Sequence, residues 1–122
     1  MKILIIDDED LVTRSIQKLL TREGYEVIVA KSGEEALAAI QSQEVDLIVC
    51  DIRMPKMNGV EMIKGIREIL KSNSRRPVKE ILITGYAEEQ ANREAEALQV
   101  ADYIYKPFDL REFLNCVKKN LG

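Results

Sequence analysis

Carboxylates stand out in this sequence because two groups of them directly follow short apolar runs. Four acids occupy positions 7–10 after the apolar run at 3–6, and Asp51 follows the run at 47–50. The chain has no histidine, which excludes a Ser-His-Asp triad, a Cys-His dyad and histidine-ligated zinc. Any chemistry must therefore rest on carboxylates, lysine, hydroxyls or a hard metal ion.

Five short apolar runs are predicted to be strands, at residues 3–6, 27–30, 47–50, 81–84 and, more weakly, 103–105. They lack the alternation of apolar and polar residues, which is typical of strands covered on both faces in a parallel sheet. The alternation of strands with helical segments predicts an α/β domain with a doubly wound, five-stranded parallel sheet. The common strand order is 2-1-3-4-5, which gives three α/β/α layers.

The segments between these runs have the apolar spacing of amphipathic helices. The predicted last helix has its apolar positions at Leu110, Phe113, Leu114, Val117 and Leu121. Three helices begin with capping-box pairs, namely Ser32 with Glu35, Asn58 with Glu61, and Asp109 with Glu112. The fourth, from about residue 87 to 98, has few large apolar residues, and we expect it to be the least firmly docked.

In a sheet of this order, ligands bind beyond the carboxyl ends of strands 1 and 3. Four predicted strands end there in polar or charged residues, which are the acids at 7–10, Asp51, Thr84-Gly85 and Lys106-Pro107. Taken singly, each has an ordinary alternative, since an acid can cap a helix, Asp51 can open a turn and Lys106 can be a solvated tip. Their joint placement favours a functional site.

Three converging carboxylates repel one another by about 4 kcal/mol per pair at roughly 4 Å and an effective dielectric constant near 20. Either a pKa rises or a cation binds, and Lys106 offsets only one charge. Oxygen ligands without histidine suit Mg²⁺ or Mn²⁺. A metal ion, a lysine and a hydroxyl around a carboxylate suit phosphoryl transfer onto that carboxylate.

With these motifs in this order, the chain resembles the receiver domain of bacterial two-component response regulators, over residues 2–121. The motifs are Asp7-Asp8-Glu9, the stretch 51–59, Thr84-Gly85 and Lys106-Pro107-Phe108. The resemblance implies a flavodoxin-like fold in which residues 1–122 form one receiver domain, similar to chemotaxis regulators. It also implies a phosphoacceptor of a two-component or phosphorelay pathway, which phosphorylates and dephosphorylates itself and is not a metabolic enzyme.

The resemblance also implies the partners and ligands of the acids. Asp51 would be the phosphoacceptor, taking its phosphoryl group from a phosphohistidine of a sensor histidine kinase or a histidine phosphotransfer protein. Asp8 and Asp51 would bind Mg²⁺ directly, together with the backbone carbonyl of Arg53. Asp7 would act mainly through water.

The remaining implied roles concern the phosphoryl group and its consequences. Thr84 would hydrogen-bond it, Lys106 would pair with it, and Pro107 would follow a cis peptide bond. Movement of Thr84 would let the Tyr103 ring turn inward, which changes the surface of helix 4, strand 5 and helix 5 for an unknown output partner or a phosphorylation-dependent dimer. The choice of Tyr103 over Tyr105, which shares its strand face, rests on the resemblance.

Two positions that vary within this family bear on dephosphorylation. Arg53 lies two residues after Asp51, and Tyr86 lies two after Thr84. Long side chains there hinder in-line attack by water, so we expect the phosphoryl group to last many minutes or longer. The alternative is that both are solvated rim residues.

Two other functions compete with this interpretation. A phosphatase of the haloacid dehalogenase type needs a second acid two residues after its nucleophile, where this chain has Arg53 and no cap insertion. A flavodoxin-like FMN binder needs a hydroxyl-rich loop after the first strand, where this chain has four acids.

Composition bounds the cellular context. With 18 Lys+Arg and 21 Asp+Glu the net charge is -3, which argues against direct binding to nucleic acid or an anionic membrane. Cys50 and Cys116 fall in apolar patterns and are expected to be buried. No signal or membrane segment is evident, so a cytoplasmic location is expected.

Two expectations concern the rest of the chain. The basic stretch 71–79 is expected to be a solvated loop at the opposite edge of the sheet. The chain ends just after the last predicted helix, so we expect a free-standing regulator or the receiver part of a longer protein.

Overall fold

The structure is a computed structural model that describes residues 1–54, 58–85 and 89–121. Strands and helices alternate through these residues. They are β1 (Lys2–Ile6), α1 (Asp10–Arg22), β2 (Glu26–Ala30), α2 (Gly33–Ser42), β3 (Leu47–Asp51), α3 (Gly59–Ser72), β4 (Lys79–Gly85), α4 (Glu89–Leu98), β5 (Asp102–Lys106) and α5 (Leu110–Leu121).

All strand pairings are parallel, and the order is β2-β1-β3-β4-β5, so the predicted fold class is confirmed. The strand predicted most weakly, β5, is a full five-residue strand paired along β4. Predicted residues 87 and 88 of the fourth helix lie outside the described part of the chain. The topology brings the carboxyl ends of β1, β3, β4 and β5 to one edge, as the sequence predicts.

Two apolar clusters explain why the strands read as continuous apolar runs. Leu4 and Ile6 pack in the cluster that also contains buried residues of α2 and α3. Ile3 and Ile5, which point to the other face, pack with buried residues of α1 and α5. Because both faces of the central strands are buried, neither face needs polar residues.

At each of the three predicted capping boxes, the side chain of the first residue accepts a backbone N–H from the first helical turn. The backbone N–H of Glu35 donates to Ser32 at 3.1 Å, and that of Glu61 donates to Asn58 at 2.8 Å. The N–H of Glu112 donates to Asp109 at 2.7 Å. Each bond satisfies an N–H of a first helical turn that has no partner within its helix.

Two apolar expectations were wrong at the margin of the core. In α5, Phe113 and Val117 are buried, but Leu110 is 43% exposed and lines an open depression with Leu11 and Phe108. Cys50 is buried as predicted, whereas Cys116 is only partly buried.

The basic stretch 71–79 is not merely solvated. The guanidinium of Arg75 is partly buried and donates to the backbone carbonyls of Ile40 and Gln43, the latter at 2.9 Å. It thereby satisfies carbonyls at the end of α2 that lack helical partners. Close by, Arg67 of α3 makes two hydrogen bonds of 2.9 and 2.6 Å to the buried carboxylate of Glu80 at the start of β4.

Candidate functional site

The acids predicted from the sequence converge where β1 and β3 end. Ile6 is paired with Cys50 in the sheet, so the residues that follow, Asp7 and Asp51, lie side by side. Carboxylate oxygens of Asp7, Asp8 and Asp51 all lie within 4.8 Å of one another. Asp7 and Asp51 are buried and Asp8 is exposed, so the cluster is open to solvent on the side of Asp8.

The carboxylate of Asp7 is perturbed by its buried setting. The pKa of its carboxyl group is raised from 3.8 to about 6, chiefly by burial and in part by the charge of Asp51, which outweigh the lowering effects of the Glu9 N–H and of Lys106. The Oδ1 atom accepts that N–H at 3.0 Å. The Oδ2 atom is buried and has no hydrogen-bond partner among the described residues. A buried acceptor without a partner is costly, and a cation bound between the three acids would satisfy it.

Asp51 is only 2% exposed, and both of its carboxylate oxygens are held. Oδ1 accepts the backbone N–H of Arg53 at 3.1 Å, and Oδ2 accepts from the Lys106 ammonium at 2.8 Å. Burial opposes the charge of Lys106, but the hydrogen bond and the charges of Asp51, Glu9 and Asp7 outweigh it and raise the lysine pKa. Lys106 therefore stays protonated, and the peptide bond that joins it to Pro107 is cis.

Gly59, at the start of α3, shapes the loop that follows the acceptor residue. Its N–H donates to the carbonyl of Ile52 at 2.6 Å. A Cβ at this position would lie 2.7 Å from both the Asp51 carbonyl oxygen and the Ile52 Cα, so a side chain would force β3 and α3 apart. The sequence places Gly59 in a matching motif but gives no reason for the glycine.

Thr84 and Gly85 lie at the same edge, one strand away. Thr84 is 1% exposed, and its hydroxyl lies 3.4 Å from the Gly85 carbonyl oxygen. No described residue beyond its chain neighbours lies within 4 Å of a Cβ built on Gly85. Among the described residues, the space beside this glycine is open.

The two tyrosines of β5 differ in burial although they share a strand face. Tyr103 is partly buried and packs against the cluster that contains α3 residues, while Tyr105 is 43% exposed. Burial raises the pKa of Tyr103, as does the charge of Glu96. The register pairs Thr84 with Tyr105 and Leu82 with Tyr103.

The structure thus brings together Asp7, Asp8, Asp51 and Lys106, with Thr84 at the neighbouring strand end. Arg53 is exposed at the rim. Tyr86, expected to flank the path of water, lies outside the described residues. Glu9 has no predicted role, yet its Oε1 atom lies 3.8 Å from the Lys106 Nζ. Nothing local in the sequence specifies this contact, because the two residues are 97 positions apart.

A family model for the response regulator receiver domain matches residues 3–118. The chain belongs to this family. Receiver domains are signalling modules of two-component systems and not metabolic enzymes, and phosphorylation and Mg²⁺ binding are typical of them. They interact with sensor histidine kinases or phosphotransfer proteins. The haloacid dehalogenase phosphatases and the FMN-binding flavodoxins are different families.

Relatives differ in how much of their length this receiver domain matches. It is 39% identical over 120 residues to Regulatory protein AtoC of Escherichia coli K12, which covers 98% of this chain but 25% of that protein. Response regulator RR06 of Streptococcus pneumoniae and PhoP of Bacillus subtilis are matched over 48% and 44% of their lengths. Sporulation initiation phosphotransferase F of Bacillus subtilis is 31% identical over 120 residues and matched over 93% of its length.

A solved structure has the same architecture over nearly the whole receiver domain. The CheY-like receiver domain protein of Methanospirillum hungatei JF-1 has a TM-score of 0.86 at 32% identity, with 98% of this chain and 92% of that chain covered. Within the part of the chain that the structure describes, no helix has the length and apolar character to cross a membrane.

Proposed function

We propose that residues 1–122 act as one receiver domain in which Asp51 accepts a phosphoryl group from a phosphohistidine of a sensor kinase or phosphotransfer protein. The observation that carries this proposal is the setting of Asp51, a buried carboxylate held by Lys106 and grouped with Asp7 and Asp8. The phosphoryl donor in this reaction is a histidine, and residues 1–122 contain none. The donor histidine must therefore lie outside residues 1–122.

Asp7, Asp8 and Asp51 would hold the divalent cation, Mg²⁺ or Mn²⁺, with the backbone carbonyl of Arg53 as a further ligand. Their oxygen-only donor set and the unpartnered Oδ2 of Asp7 fit such an ion. When bound, the ion neutralises charge on the transferring phosphoryl group. Because Asp7 and Asp51 are buried, their carboxylates are held in place for the ion before it binds.

In the transfer, a carboxylate oxygen of Asp51 forms a bond to phosphorus as the phosphorus–nitrogen bond of the donor histidine breaks. Lys106 is already within hydrogen-bond distance of Asp51 and would follow the new negative charge onto the phosphoryl oxygens. Thr84 would donate its hydroxyl to the same group. Hydrolysis by water then returns the carboxylate and inorganic phosphate.

The phosphoryl group would change the surface of α4, β5 and α5 through Thr84 and Tyr103. Phosphorylation adds about 1.5 to 2 negative charges and three acceptor oxygens, which draw the Thr84 hydroxyl toward Asp51. Tyr103 is already partly buried beside this region, so a small inward turn of its ring can follow. The altered surface would bind an output partner or a second copy of the domain.

An apolar depression next to Lys106 suits the protein that donates the phosphoryl group. It measures about 620 Å³ and lies between α1 and the start of α5. Leu11 is 80% exposed and Leu110 is 43% exposed there. Exposed leucines beside a buried acceptor favour contact with an apolar partner surface, which would bring a donor histidine within reach of Asp51.

The proposal is tested by incubating the protein with acetyl phosphate and Mg²⁺ and measuring its intact mass. We expect one added phosphoryl group that disappears when a chelator is present. Asp51→Asn should gain none, and Glu68→Gln, which removes an exposed carboxylate from α3, should behave as the wild type. An unmodified wild type, or an equal gain in Asp51→Asn, would remove Asp51 from this role.

We also propose that Arg53 and Tyr86 slow the loss of the phosphoryl group, with a lifetime of many minutes or longer. After removal of the donor by desalting, the decay of the phosphorylated mass gives the half-life. Arg53→Gly should shorten it. A half-life of seconds in the wild type would contradict the proposal.

A further inference from the structure

We propose that Glu9 is a specificity-determining residue that disfavours small anionic phosphodonors at Asp51, an inference that rests on the proposed function. The Oε1 atom of Glu9 lies 3.8 Å from the Lys106 Nζ. The same ammonium donates to Oδ2 of Asp51 at 2.8 Å. Lys106 is therefore shared between the acceptor carboxylate and a second carboxylate, 58% exposed, on the rim of the site.

The direction of the Glu9 side chain is not explained by α1. Glu9 is the N-cap residue of that helix, but its side chain accepts no hydrogen bond from the first turn. Its backbone N–H donates to Asp7 instead. An acid at this position normally stabilises the helix by facing its free N–H groups. Here its carboxylate faces Lys106, so its charge acts on the site.

Glu9 is also the one acid of residues 7–10 whose negative charge remains unbalanced once the expected cation, Lys106 and Lys31 are counted. A divalent cation and Lys106 together carry three positive charges, which balance the three negative charges of Asp7, Asp8 and Asp51. Asp10, the next residue, is paired with Lys31 at 2.5 Å. The negative charge of Glu9 remains as an excess at the rim, where a phosphodonor must pass.

This excess charge opposes transfer from a small anionic donor in two ways. It repels a dianion such as acetyl phosphate, and it competes for the lysine that must follow the phosphoryl group. In the reaction the bond from phosphorus to the acyl oxygen breaks as Asp51 bonds to phosphorus, and acetate leaves. A protein donor offsets the repulsion by its own contacts with the receiver, whereas a small donor has none.

The test compares initial rates of phosphorylation at pH 7 and saturating Mg²⁺, followed by intact mass, with acetyl phosphate and with the less charged phosphoramidate. For Glu9→Gln we expect the rate with acetyl phosphate to rise about threefold to tenfold, as expected for removing one partly screened charge a few ångströms away. The rise should be smaller with phosphoramidate. It should also shrink at 0.5 M salt, about five times the ionic strength at which the screening length is ~10 Å.

Asp10→Asn is the matched control, because it removes the same charge one residue along, where Lys31 compensates it. Its rates should stay within about twofold of the wild type. An unchanged or lower rate in Glu9→Gln, an equal rise with both donors, or the same rise in Asp10→Asn would overturn the inference. If the wild type itself gains no phosphoryl group at Asp51, the proposed function fails with it.

Discussion

Replacing Asp7 with asparagine changes the free energy of unfolding of the metal-free protein. We expect this change to be more favourable to the folded state above pH 6 than at pH 4. The folded-state pKa of Asp7 is raised from 3.8 to about 6, so between these values the folded protein binds the extra proton and the unfolded chain does not. The stability contributed by this group is present below pH 4 and is lost as the pH rises through 6.

The size of the effect follows from the shift. About two pKa units at 1.36 kcal/mol each amount to about 3 kcal/mol by pH 7.5. The amide of asparagine also lacks a partner for one of its polar atoms, but that cost, about 1 to 3 kcal/mol, does not depend on pH. The pH-dependent part of the difference between Asp7→Asn and the wild type therefore isolates the ionisation of Asp7.

Urea denaturation followed by far-ultraviolet circular dichroism, at pH 4 to 8 in chelator, measures this difference directly. Asp10→Asn is a control of opposite sign, because the hydrogen bond and charge of Lys31 lower the pKa of Asp10 and its contribution is lost as the pH falls. Added Mg²⁺ should stabilise the wild type at pH 8 and Asp7→Asn much less. A difference between Asp7→Asn and the wild type that is constant from pH 4 to 8 would refute the reasoning.

Two further predictions concern the scaffold and are measured by the same denaturation at pH 7. Arg67→Met should cost about 2 to 3 kcal/mol because it leaves the buried Glu80 carboxylate unpaired, and Glu80→Gln should cost less; equal costs would contradict this. Gly59→Ala should cost more than about 2 kcal/mol, since its Cβ would press on β3. Gly65→Ala, in the same helix, should be neutral or stabilising by up to about 1 kcal/mol, because its Cβ would make only an ordinary contact with a leucine at 3.6 Å. A larger loss of stability in Gly65→Ala than in Gly59→Ala would contradict the packing described.

The sequence predicted the strand order and the convergence of Asp7, Asp8, Asp51 and Lys106, because parallel βα units leave only one common topology. It could not predict distances across the sheet, so the contact between Glu9 and Lys106 needed the structure. The environment of Leu110 was missed for a related reason. Periodicity marks a helix face but does not tell which positions on that face the rest of the fold covers.

The sequence also did not predict the contacts that turns and loops make. The role of Gly59 depends on how closely α3 approaches β3, which no local pattern encodes. Arg75 sits in a stretch whose composition predicts a solvated loop, yet its guanidinium reaches the carbonyls at the end of α2. A long flexible side chain can bond at a distance that sequence spacing does not reveal.

The central claim, that Asp51 carries the phosphoryl group, is tested most directly by mapping the modified residue. The protein is incubated with acetyl phosphate and Mg²⁺, reduced with borohydride, which converts an aspartyl phosphate to homoserine, and digested for tandem mass spectrometry. We predict homoserine at position 51 and at no other aspartate. Homoserine at Asp7 or Asp8, or unmodified Asp51 in a phosphorylated sample, would contradict the account.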